Sequence, residues 1–113
     1  MIQIYHNPRC SKSRQGLAIV ENAKVNFEII KYLATPLTAS ELTDIIKKLG
    51  IKPINLVRVK EAIWKENFKG KELSDKEIIE AMVQFPKLIE RPIVVNGNKA
   101  VLGRPPEMIK DVL

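Results

Sequence analysis

The chain has 113 residues, 45% of them hydrophobic and 28% charged, with a formal net charge of +6. That length suits one domain, which can bury enough surface to fold without a disulfide or metal staple. One cysteine excludes an intramolecular disulfide, and one cysteine with one histidine cannot supply the four ligands of a structural zinc site. The longest apolar run, Leu17-Ala18-Ile19-Val20, is far short of the ~20 residues that span a bilayer. The N-terminus shows no basic region or cleavage site, so a cytoplasmic location and no membrane partner are expected. The positive charge is mostly lysine, fourteen Lys against five Arg, dispersed from Lys12 to Lys110. Solvated helix faces look like this, and no nucleic-acid partner is expected.

In chain order, Ile2, Ile4 and Tyr5 predict a short first strand. Helical periodicity follows from about Ser11 to Ala23, with Leu17, Val20 and Ala23 on one face. Val25 to Tyr32 is rich in Val, Phe and Ile, as a buried parallel strand would be. Strand, helix and strand in about thirty residues make a βαβ unit with a right-handed crossover. Thr38 and Glu41 form a capping box before Leu42, Ile45, Ile46 and Leu49, and Gly50 sits where a C-terminal cap belongs. A shorter helix is expected between Leu56 and Phe68, carrying Ile63 and Trp64. Ser74 and Glu77 repeat the capping box before Ile78, Ile79, Met82 and Val83, and Pro86 ends that helix. Ile93-Val94-Val95, Asn96-Gly97 and Lys99 to Leu102 predict a hairpin with a type I′ turn. Pro105 opens a closing helix with Ile109, Val112 and Leu113 toward the core. The order is βαβ, helices, ββα, which predicts a mixed four-stranded sheet with one antiparallel pair.

Chemistry concentrates in His6-Asn7-Pro8-Arg9-Cys10-Ser11-Lys12-Ser13, between the first strand and the first helix. Cys10 therefore stands on the first turn of a helix, where unpaired N–H groups carry about half a positive charge and favour thiolate over thiol. Arg9, Lys12 and Arg14 add positive charge nearby, and the same N–H groups can cradle an oxyanion. Free cysteines are often inert core residues. The polar neighbours and loop position favour the reactive reading here. In Cys10-x-x-Ser13 the serine cannot resolve a covalent intermediate, so an outside thiol must release it. Arg91 precedes Pro92 at a strand entry and Arg104 precedes Pro105 at a helix start. With Arg58 they supply planar guanidinium forks suited to a tetrahedral oxyanion.

Tyr5-His6-Asn7-Pro8-x-Cys10, Leu56-Val57-Arg58, Arg91-Pro92-Ile93-Val94-Val95 and Arg104-Pro105 are together specific. Through them the chain resembles, over essentially its whole length, the glutaredoxin-coupled arsenate reductase (ArsC) family. The resemblance implies a single α/β thioredoxin-like domain over 1–113, with a helical insertion at about 38–86 between the second and third strands. It implies Cys10 as the nucleophile, with Arg58, Arg91 and Arg104 contacting the arsenic oxyanion. It implies a cis proline at Pro92 beside the cysteine and an electrostatic role for His6. The expected reaction is reduction of arsenate to arsenite through a Cys10–arsenic adduct. Glutathione is the co-substrate and glutaredoxin the partner, with no bound cofactor and no metal, in a chain expected to be a monomer. Two alternatives share the fold. One is a transcriptional regulator that binds RNA polymerase, a branch that typically has Cys-x-x-Cys and lacks the final Arg-Pro, so Ser13 and Arg104 argue against it. The other is a glutaredoxin-like thiol oxidoreductase with a different substrate.

Overall fold

Four strands of four residues each form one mixed sheet in the computed structural model, which describes Met1–Leu113. They are β1 (Ile2–Tyr5), β2 (Phe27–Ile30), β3 (Ile93–Asn96) and β4 (Lys99–Leu102), in spatial order β2-β1-β3-β4. β1 and β2 are parallel across the crossover helix α1 (Ser11–Asn22), whereas β3 is antiparallel to both β1 and β4. The sheet thus has two antiparallel pairs, not the single one expected. The chain leaves β2 and enters β3 at the same end of the sheet, so Ile93 pairs with Tyr5, the last residue of β1. That reversal brings Arg91 and Pro92 to the end of the sheet from which the Cys10 loop departs.

The sheet belongs to a compact unit made of Met1–Thr35 and Arg91–Leu113, and Pro36–Glu90 forms a second unit. In the first, Ile2, Ile4 and Val94 pack with Val20 of α1 and with Ile109 and Val112 of a closing 3-10 helix, Pro106–Val112. Each such side chain contributes about 1.5–3 kcal/mol on burial. The expected buried strand over Val25–Tyr32 is shorter and lies at the sheet's edge: only Phe27–Ile30 pairs, and Glu28 and Ile29 are exposed. An edge strand has one neighbour, so its apolar residues report local β preference more than burial. Ala23 is exposed because α1 ends at Asn22. The face that α1 buries is Ser13, Gly16 and Val20. The closing segment is 3-10 throughout, begins at Pro106 and leaves Leu113 exposed.

In the hairpin Asn96 pairs with Lys99, which makes Gly97 and Asn98 the turn residues. Gly97 has φ 62°, and Lys24 is the one non-glycine residue with positive φ. Positive φ at the first turn position alone marks a type II′ turn in place of the expected I′. The register is one residue further along than the Asn-Gly reading.

Small residues permit close approach around Pro92. A methyl group on Gly16 would stand 2.6 Å from Pro92 Cγ and 2.8 Å from Ile109 Cδ1, and one on Gly103 would meet the same two side chains. Gly16→Ala gains about 1 kcal/mol in helix propensity, but the rigid proline ring cannot yield. A net loss of about 1–2 kcal/mol is expected from overpacking, read as a lower urea midpoint at unchanged m-value.

In the second unit both capping boxes form: Thr38 and Glu41 open α2 (Ala39–Leu49), and Ser74 and Glu77 open α4 (Asp75–Gln84). Gly50 closes α2 at φ 68°. α2 and α4 bury Leu42, Ile45, Ile46, Ile78 and Met82. The helix expected between Leu56 and Phe68 is interrupted. Pro53–Leu56 is a 3-10 turn, Val57 makes an antiparallel bridge with Ile89, and α3 spans only Ala62–Asn67. The bridge takes the backbone groups a helix would need: Arg58 N–H donates to Leu88 O at 2.7 Å and Glu90 N–H to Leu56 O at 2.8 Å. Trp64 stacks on Phe68, which meets Phe85 edge-on. No helix is long and apolar enough to cross a membrane.

Candidate active site

Cys10 is the N-cap of α1, with extended backbone, and its carbonyl accepts the first helical bond from Arg14. The preceding loop is closed by Asn7, whose carbonyl accepts from Cys10 N–H at 3.0 Å and whose Oδ1 accepts from Arg9 N–H at 3.0 Å. Arg14 Nη1 donates to Pro8 O at 2.9 Å, so that cation is committed to the loop. His6 N–H continues the β1–β2 ladder to Ile30 O at 2.9 Å. The loop therefore hangs from the sheet at one end and from the helix at the other.

Two arginines meet at the sulfur. Arg91 is buried, and its guanidinium hydrogen-bonds Cys10. Arg104 Nη2 donates to Cys10 Sγ at 3.7 Å, while its Nε donates to Arg91 O at 2.9 Å. Each arrives from the end of a strand, Arg91 before β3 and Arg104 after β4, and each precedes a cis proline. The Arg91–Pro92 bond is cis, and so is Arg104–Pro105, which the sequence had not singled out. Partial burial pushes the Cys10 thiol up, but the Ser13 N–H, the Arg91 guanidinium and the Lys12 N–H outweigh it, and the net shift is downward. The N–H groups favour the anion without closing a regular capping bond. Thiolate, the nucleophilic form, is thus retained to lower pH than in a free cysteine. Alkylation by iodoacetamide is expected to have a pH midpoint below the ordinary value of ~8.5.

His6 is buried, and its Nδ1 lies 2.7 Å from Ser13 Oγ. Burial, the largest influence, lowers its pKa; a hydrogen bond to the Ser13 backbone raises it, and Lys31 and Arg14 lower it further. The balance favours the uncharged ring. Arg58 lies in the other unit, where its Nε is 3.8 Å from Glu61 Oε1 and its Nη1 is buried without a hydrogen-bond partner. No three His, Cys, Asp or Glu side chains cluster as metal ligands would. The sequence reading missed Asn7 and the anchoring of Ser13. An Asx turn from Asn7 to Arg9 was legible in Asn-Pro-Arg, whereas the Ser13 contact joins residues seven apart through the fold.

Charge is also less evenly placed than the lysine pattern suggested. The unit bearing Cys10 holds nine Lys and Arg against four Asp and Glu, a net +5, and the other holds ten against nine, a net +1. A field of that sign draws anions toward the sulfur.

The sequence profile of the ArsC family matches residues 5–112. The chain is 46% identical to the Escherichia coli K12 protein named "Uncharacterized protein YfgD", over 99% of this chain and 96% of that one. It is 45% identical to the arsenate reductase of Haemophilus influenzae, over 97% of each. The solved structure named "Arsenate reductase from Vibrio cholerae" matches with a TM-score of 0.94 at 45% identity, covering 99% of this chain and 97% of that one. The common architecture is α/β and thioredoxin-like. By sequence and by fold, this chain belongs to the ArsC family.

Proposed function

We propose that this protein reduces arsenate to arsenite, using Cys10 as nucleophile and glutathione with glutaredoxin as the source of electrons. The observation that carries the reading is the meeting of two guanidinium groups, Arg91 and Arg104, on one thiol at a helix N-terminus. Such a cluster serves an anionic substrate, whereas a thiol oxidoreductase acting on neutral sulfur gains little from it. The names of relatives at 45% identity support the same substrate.

In the proposed sequence the Cys10 thiolate attacks As(V), an S–As bond forms, and an arsenate oxygen leaves as water after protonation. Glutathione displaces a second oxygen, again as water, and leaves arsenic bound to two sulfurs. A glutaredoxin thiolate then attacks the glutathione sulfur, forming a mixed disulfide. The electron pair of that S–As bond stays on arsenic, which becomes As(III) while the two thiols are oxidised. Hydrolysis of the remaining S–As bond releases arsenite and the Cys10 thiolate. Ser13 cannot stand in for the external thiols, which is why both are required. Arg91 and Arg104 offset the oxyanion charge as sulfur approaches. The resemblance also implies an oxyanion contact for Arg58.

A coupled assay tests this. NADPH oxidation is followed with arsenate, glutathione, glutaredoxin and glutathione reductase, and each component is omitted in turn. Turnover that needs every component supports the reading. Arg104→Ala is expected to lose about tenfold or more, the effect of one charged hydrogen bond, and Arg58→Ala tests its implied contact alongside. No turnover in the complete mixture sinks the arsenate assignment. Binding to RNA polymerase in its place would favour the regulator.

A further inference from the structure

Five cationic residues gather at the Cys10 loop, and three of them are occupied. Arg91 and Arg104 hydrogen-bond the sulfur, and Arg14 donates to Pro8 O. Arg9 and Lys12, on either side of Cys10 in the chain, are exposed, and no acidic side chain pairs with either. No Asp or Glu precedes Glu21 in the sequence. Lys12 also stands where a helix disfavours it. The first turn of α2 carries Glu41 and that of α4 carries Asp75 and Glu77, whereas the first turn of α1 has no acid and holds Lys12. A cation there opposes the helix dipole. A locally unfavourable charge kept beside the reactive group points to a use for it.

Two cations flanking a sulfur suit a ligand that carries a thiol between two separate negative groups. Arsenate on the sulfur is already met by Arg91 and Arg104, and a single tetrahedral group presents no second, distant charge. Glutathione does: it is a tripeptide with the thiol on its middle residue and a free carboxylate at each end. The Lys12 N–H bonds the Cys10 sulfur, so the Lys12 side chain starts beside it and leans, as helical side chains do, toward the helix N-terminus. Arg9 precedes Cys10 on a loop held by the hydrogen bond from its own N–H to Asn7 Oδ1. Its guanidinium fork matches a carboxylate. We propose that Arg9 and Lys12 form the glutathione-docking site of this protein, each pairing with one carboxylate so that the thiol is delivered to Cys10. The inference rests on the reading of Cys10 as a reactive thiolate served by glutathione.

The test uses the full-length protein and needs no arsenate. The Cys10 thiolate attacks one sulfur of glutathione disulfide, the S–S bond breaks, and a Cys10–glutathione disulfide forms as one glutathione thiolate leaves. The rate of that step is followed by mass spectrometry and divided by the rate with hydroxyethyl disulfide, which is uncharged. The ratio cancels changes in the reactivity of the sulfur itself. Arg9→Gln and Lys12→Gln should each lower it about 1.5- to fivefold, the effect of one exposed ion pair. Arg9→Glu combined with Lys12→Glu should lower it about tenfold or more, since attraction becomes repulsion. Lys99→Glu controls for the field of the whole unit. Lys99 pairs with Asn96 at the end of β3 away from the Ile93–Tyr5 pair, hence away from the Cys10 loop, and its reversal should change the ratio less than about 1.5-fold. Esterifying the glycine carboxylates of the disulfide should cost the parent as much as losing one cation, and cost nothing further in the variant lacking that cation. A ratio unmoved by the double reversal, or lowered as much by Lys99→Glu, overturns the docking site. So does a loss confined to the later attack of glutaredoxin on the mixed disulfide, which would assign both cations to the protein partner. A lowered ratio in a protein that does not turn over arsenate leaves the docking site standing and sinks the proposed substrate. A Cys10 that reacts with neither disulfide in the folded protein overturns the reactive thiolate and the docking site together.

Discussion

Replacing Cys10 with serine is expected to reduce arsenate-dependent NADPH oxidation at least about a thousandfold, to background, without unfolding the protein. The hydroxyl occupies the same N-cap position, where serine is a better helix former than cysteine, so secondary structure should be kept. The cost is chemical. Two arginines and the N–H groups of Lys12 and Ser13 can hold a thiolate, because a thiol gives up its proton far more readily than an alcohol. The same contacts cannot ionise an alcohol, which needs a general base within hydrogen-bond reach. The Nδ1 of the chain's one imidazole, His6, faces the Ser13 hydroxyl at 2.7 Å and not residue 10. Circular dichroism and thermal unfolding alongside the coupled assay would separate lost chemistry from lost fold. Turnover in a folded Cys10→Ser protein would move the nucleophile elsewhere.

Arg91 carries the second large effect. It is the buried arginine of the pair, hydrogen-bonded to Cys10, and its carbonyl holds the Nε of Arg104. Arg91→Ala removes a charged hydrogen bond contributing about 1.5–3 kcal/mol, equivalent to roughly ten- to a hundredfold in kcat/KM. The same substitution withdraws a cation from the sulfur, so the alkylation midpoint should rise. Arg91→Lys separates the two contributions. An ammonium restores charge but not the planar fork, so the midpoint should recover while much of the kcat/KM loss remains. Full activity in Arg91→Lys would mean that charge alone is needed there. An unchanged midpoint in Arg91→Ala would detach Arg91 from the thiol.

Local signals carried much of this protein. Thr38 with Glu41, and Ser74 with Glu77, are capping boxes whose partners lie three residues apart, so the geometry is complete within one helical turn. Gly50 ends α2 for an equally local reason, its positive φ. The place of Cys10 at a helix N-terminus was legible because a strand followed by a helix sets the intervening cysteine at unpaired N–H groups, whatever the rest of the fold does.

Tertiary structure decided what depends on partners distant in sequence. Val25–Tyr32 carries the residues of an interior strand, but strand order put Phe27–Ile30 at the edge, and no local pattern encodes how many neighbours a strand has. Leu56 to Phe68 lost its helix to a bridge with Ile89, thirty-two residues after Val57, because the competing hydrogen bonds come from the other side of the unit. The second antiparallel pair arose from where the chain re-enters the sheet, and that same reversal set Arg91 beside Cys10. Ser13 read as a serine unable to resolve a disulfide. Only its burial against His6 and Asn7 revealed the anchored hydroxyl, since a side chain's hydrogen-bond partners follow from packing and not from its neighbours along the chain.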